Sequence, residues 1–150
     1  MRLAFRPLGA YLLVLPLLAW NLVLGPSLVD PRLTSDAHSP AWLLAAEGIT
    51  RILCFAFPLL LPLQGRHPRH KAGWAIYALG TLVYFASWLP LIWAPASAWS
   101  NAAAGLLAPR LTPFLPFLGI ALIGDAWPYS ALTAAFILLH GWHGIQNLGF

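Results

Sequence analysis

In the stretch HGWHGIQN, His140, His143 and Asn147 stand three and four residues apart. That spacing puts all three on one face of a helix. Two imidazoles a turn apart can ligate a metal, exchange protons near neutral pH or donate hydrogen bonds to a ligand. A second constellation lies in AAEGITRILCF, where Glu47 and Arg51 are four residues apart. The glutamate is on the N-terminal side, the favourable order for a helical ion pair. A metal on His140 and His143 would need Glu47 or His38 as a third ligand, and the pattern lacks the specificity of an HExxH box. No metal and no cofactor are therefore expected.

The elements that must position these residues are set by composition. Apolar residues make up 60% of the chain and charged residues 8%, against about 25% charged in a typical soluble domain. The apolar residues fall in blocks, and a bilayer core of about 30 Å is crossed by roughly 20 residues of helix. The expectation is an all-α, polytopic integral membrane helical bundle forming a single domain over residues 1–150. About five spans are expected, at 7–25, 41–63, 73–93, 111–124 and 128–148. The fourth is short unless it starts near Leu106 and Arg110 snorkels to the headgroups. The first follows Arg2 and Arg6 as a signal peptide would, but Pro16, Trp20, Asn21 and the missing small-x-small site favour a retained span.

The net charge of +4 comes from basic residues flanking the apolar blocks. Anionic lipid headgroups are their expected partners, and nucleic acid is not. Arg2, Arg6, Arg66, Arg69 and Lys71 share one side, opposite Arg32 and Arg110, which places the N-terminus in the cytoplasm. An arginine-rich, alanine- and proline-rich composition fits a bacterial inner membrane protein. Trp42, Trp74, Trp93 and Trp127 fall at span ends, where amphipathic rings settle. The lone cysteine, Cys54, lies within a span, so neither an intramolecular disulfide nor a cysteine metal site is expected.

On this topology Glu47, Arg51, His140, His143, Asn21 and Ser87 all fall in the outer half of the membrane. A charge costs about 2.5–3.5 kcal/mol near a span centre, a cost that pairing lowers. These groups point to an outward-facing polar pocket within a lipophilic cavity that binds a small or amphipathic molecule, for sensing, transport or turnover. Arg51 would meet an anionic or carbonyl group, Glu47 would orient Arg51 or exchange a proton, and the histidines would donate hydrogen bonds. Asn21, Ser87 and Tyr84 are secondary candidates. Tyr77, Thr81, Tyr84 and Trp88 form a stripe that packs as core or lines the cavity with aromatic walls. Two other readings use the same residues: a membrane-embedded enzyme, metal-dependent or not, and a structural subunit of an oligomer or larger membrane complex. No nucleophilic triad or phosphate-cradling glycine loop is present.

Gly73, Gly80, Ser87 and Ala94 recur every seven residues, a seam along which another helix can approach. Pro16, Pro58, Pro90, Pro113 and Pro116 interrupt the spans, and Pro58 frees the carbonyl of Cys54 for a partner on a neighbouring helix. In GRHPRHKAGW, residues Arg66, His67 and Pro68 resemble the arginine-histidine-proline motif of membrane methyltransferases of the isoprenylcysteine and phospholipid type. Where that family has tyrosine this chain has His70, Gly73 is displaced by one residue, and the family's C-terminal acidic and aromatic segment has no counterpart. The stretch therefore reads as a basic loop at lipid headgroups. Size, five spans and eight tryptophans also resemble the outline of the tryptophan-rich sensory protein (translocator) family. Its tryptophan-proline pattern is not found here, so none of its residues carries over.

Overall fold

A computed structural model describes residues 9–28, 30–36, 38–64 and 67–148. Arg2, Arg6 and Arg66, used above for orientation and for the methyltransferase resemblance, lie outside the described residues. Among the described residues the structure is all-helical. A 3-10 turn over Ala10–Leu13 leads into α1 (Leu15–Leu24), followed by short α2 (Pro31–Thr34), α3 (Ala41–Ala56), long α4 (Pro68–Trp93), short α5 (Ala98–Asn101), α6 (Ala103–Leu111), α7 (Phe114–Ile123) and α8 (Trp127–Leu148).

Among the described residues four stretches are long and apolar enough to cross a membrane: Ala10–Ser27, Ala41–Leu60, Pro68–Trp93 and Ala103–Ile123. This differs from the five spans expected. Helix α8 has 22 residues, about 33 Å at the helical rise, but His140, His143, Gln146 and Asn147 in its last turns make it too polar to count with the others. Leu22, Ile52, Leu60, Leu79, Leu82 and Leu138 are strongly exposed, an outer apolar surface suited to lipid. The fourth span is the longer version, broken between α6 and α7 where Thr112 and Pro113 interrupt the helix.

Helix α4 starts earlier than the apolar pattern implies. Pro68 takes the first helical turn, where its missing N–H costs nothing, and His67 caps it by accepting from the amide of Arg69 at 3.3 Å. The PRHK segment is therefore helix, not loop, with His67 as its cap. At that end of the bundle Arg69 pairs with Asp125, which adopts φ 58° in the turn between α7 and α8.

The most extensive packing joins α4 to α7, and the seven-residue seam forms it. A Cβ on Gly73 would fall 2.9 Å from Leu122 Cβ, and one on Gly80 2.5 Å from Leu115 Cβ. From the other side, a Cβ on Gly119 would meet the amide nitrogen of Tyr77 at 2.6 Å. Ser87 continues the seam, its hydroxyl 3.3 Å from that of Thr112. Ala94 falls just past the end of α4 and is exposed, so the seam stops at Ser87. Helix α8 packs on α3, α6 and α7, and Tyr129 on α8 donates to the carbonyl of Cys54 at 2.9 Å. That is the carbonyl freed by Pro58, which ends α3 and turns the chain into a 3-10 segment over Phe57–Leu60.

Helix α1 is held differently. The 3-10 turn before it is pinned by the amide of Ala10 on the carbonyl of Leu61, 3.1 Å, and Trp20 stacks on Phe85 of α4 with ring centroids 4.0 Å apart. Bulky rings between helices keep their axes apart, which leaves space beside α1.

Candidate functional site

Glu47 is 1% exposed and receives three partners. Arg51 pairs with Oε1 from one turn along α3. His140 presents Nδ1 to Oε1 at 2.7 Å, and His143 presents Nδ1 to Oε2 at 2.6 Å. The two rings reach one carboxylate because α8 runs beside α3 with its histidine face turned inward. If both Nδ1 atoms carry the hydrogen, each bond is charge-assisted. His140 also stacks on Phe136, one turn earlier, with ring centroids 5.3 Å apart.

A strap formed by residues 30–36 covers this end of the bundle. Asp30 caps α2 by accepting from the amide of Arg32 at 2.9 Å and also binds the Arg32 side chain. These hydrogen bonds hold the Asp30 carboxyl below the ordinary carboxylate range. The strap then docks on α8 and α6. Nε2 of His143 lies 3.2 Å from Asp36 Oδ1, Asn147 donates to the carbonyl of Ser35, and Arg110 donates to the carbonyl of Leu33 at 2.7 Å.

Beside the network lies a cavity of about 750 Å³. Its walls come from α1, α3, α4, α6, α7, α8 and the strap. Asn21, Arg51, Tyr84, His140 and His143 line it, and so do Arg110 and Asp36. Trp88, Phe55, Phe117 and Phe136 supply aromatic walls. Glu47 itself sits behind Arg51 and the histidines. Tyr84 donates to Oδ1 of Asn21 at 2.9 Å, which orients the asparagine, and the Asn21 amide donates back to Leu17 at 2.7 Å. Of the aromatic stripe on α4, Tyr84 and Trp88 reach the cavity, whereas Tyr77 donates to the carbonyl of Leu13.

Two residues stand elsewhere than their sequence context implies. Ser87 does not border the cavity; its hydroxyl bonds Tyr84 O at 2.6 Å and faces Thr112 on the helix seam. Arg110 does not snorkel outward. It is 6% exposed, because its side chain runs inward past Gly144, where a Cβ would fall 2.7 Å from Arg110 Cδ. Sequence alone carried one signal for this: the small residue at Gly144 on the same helix as the histidines.

Among the described residues no group of three histidine, cysteine or acidic side chains is arranged to hold a metal ion. Both Nδ1 atoms face the Glu47 carboxylate, and His38 is exposed. Nε2 of His140 has no hydrogen-bond partner among the described residues, which leaves it free to meet a molecule in the cavity. The fold and site define a helical bundle with apolar, membrane-length helices and a buried glutamate–histidine–arginine network beside a largely apolar cavity. Comparison with protein-family models, curated proteins and solved structures returned no match.

Proposed function

We propose that this chain is an intramembrane binding protein whose cavity takes a small or amphipathic molecule from the lipid phase. One observation supports the reading most: ionisable groups on α3, α6 and α8 converge on the same space that aromatic side chains enclose. A purely structural network has no use for an adjoining cavity of about 750 Å³, which is within the usual size range of ligand sites. The apolar tail would lie against Phe55, Phe117 and Trp88, with the polar end at Arg51 and His140. With the N-terminus in the cytoplasm, the site opens toward the outer half of a bacterial inner membrane.

The test uses dansyl-undecanoate titrated into protein held in neutral-lipid nanodiscs. Saturable fluorescence gain is expected, and Ala56→Trp, which fills the cavity wall without touching the polar network, should remove it. Identical, non-saturating partition into wild type and variant would sink the reading.

A second reading, a membrane-embedded enzyme, is favoured by the Glu47–His140 dyad. A buried carboxylate on Nδ1 with Nε2 left open is an arrangement suited to general acid–base chemistry. Turnover of a bound amphiphile, seen as a mass change and abolished by His140→Gln, would select it over binding alone.

A further inference from the structure

The cavity borders on a cation that makes no direct ion pair among the described residues. Arg32, Arg51 and Arg69 each pair with a carboxylate, namely Asp30, Glu47 and Asp125. Arg110 has none within 4.0 Å among the described residues. Its Nη2 binds the neutral carbonyl of Leu33, and its Nη1 is buried with no hydrogen-bond partner. Guanidinium stays charged in proteins and is costly to take out of water without an acidic partner. The side chain is nevertheless built into this position, because Gly144 leaves the slot through which it passes and Leu107 closes that slot beside it.

Arg51 also borders the cavity. It keeps a nitrogen on Glu47, yet its side chain is 48% exposed. The acidic side chain lining the cavity is Asp36, but its carboxylate contacts His143 and its side chain is 67% exposed. Among the lining side chains two arginines stand against this one aspartate, a balance that favours an anion.

Resting on the cavity reading above, we propose that the ligand is a single-chain amphiphile with an anionic oxygen headgroup, a carboxylate or a phosphate. The headgroup meets the Arg110 guanidinium where it borders the cavity, with Arg51 as the second cation and the chain along the aromatic wall. The planar guanidinium fork matches both headgroups, and charge-assisted hydrogen bonds are about twice as strong as neutral ones.

The experiment is native mass spectrometry and thermal-shift titration of the full chain with palmitate, hexadecyl phosphate, hexadecanol and hexadecyltrimethylammonium. Palmitate or hexadecyl phosphate is expected to bind roughly tenfold or more tighter than the alcohol, with the ammonium weakest. Which of the two anions binds better identifies the headgroup. Arg110→Gln should erase the preference while Arg110→Lys retains part of it. Should Arg110→Gln not fold, the wild-type series and Arg110→Lys still decide. Equal binding of the four probes would overturn the anion proposal and leave the cavity reading standing. Binding of none would overturn both. An anion preference that persists undiminished in Arg110→Gln would remove Arg110 as its seat.

Discussion

Oε1 of Glu47 lies 2.7 Å from Nδ1 of His140 across 93 positions of chain, so a single carboxylate joins α3 to α8. With Arg51 and His143 on the same group, Glu47 is the acceptor on which the polar layer depends. Removing one member of a buried ionic network leaves the others uncompensated.

Glu47→Ala is therefore expected to destabilise the protein by about 3 kcal/mol or more. Thermal unfolding in detergent, followed by circular dichroism, measures it. A loss below about 0.5 kcal/mol, the size of an ordinary surface substitution, would show that the network contributes little.

The coupling between Glu47 and His143 is a separate quantity. In a double-mutant cycle of Glu47→Gln and His143→Ala, the two effects should fail to add by about 1–3 kcal/mol. Additive losses would mean that the 2.6 Å contact is not an energetic one.

Close approach along the α4–α7 seam predicts a contrast between glycines. Gly80→Ala drives a Cβ to 2.5 Å from Leu115 and should cost about 1–3 kcal/mol through overpacking. Gly48→Ala, which meets nothing within 4 Å, should be neutral or stabilising by up to about 1 kcal/mol from helix propensity. Melting temperatures of the pair check both, and equal shifts would discount the seam.

Ser87 joins helices rather than facing the cavity. Ser87→Ala should lower stability by about 1 kcal/mol and leave dansyl-undecanoate affinity unchanged. A variant with normal melting but weakened binding would return Ser87 to the site.

Acid should loosen the strap before it reaches the bundle. Asp30 is held below its ordinary pKa by Arg32, so its contribution is present above the unfolded value and is lost as pH falls through the lower folded one. The amide of Arg32, which Asp30 caps, should stay protected from hydrogen exchange near pH 4 and lose protection below that, relative to Asp30→Asn. Identical protection in both proteins throughout would rule out the cap as the strap's anchor.

What the sequence determined by itself follows from local periodicity and composition. The helical membrane class comes from long apolar blocks with few charges. The Glu47–Arg51 pair and the histidine face of α8 follow from 3.6 residues per turn, and the Gly73–Gly80–Ser87 seam from a seven-residue repeat. The need of the Cys54 carbonyl for a partner follows from Pro58. None of these says which faces meet. Only the tertiary structure decided that α8 turns its histidines to α3, so that Glu47 serves both rings, and that Arg110 enters past Gly144 instead of reaching for headgroups. It also decided that Ser87 closes a helix interface and that PRHK, capped by His67, is wound into α4. The reason is physical: hydrogen bonding and side-chain spacing along a helix are local, whereas rotation about its axis is settled by packing against residues distant in sequence.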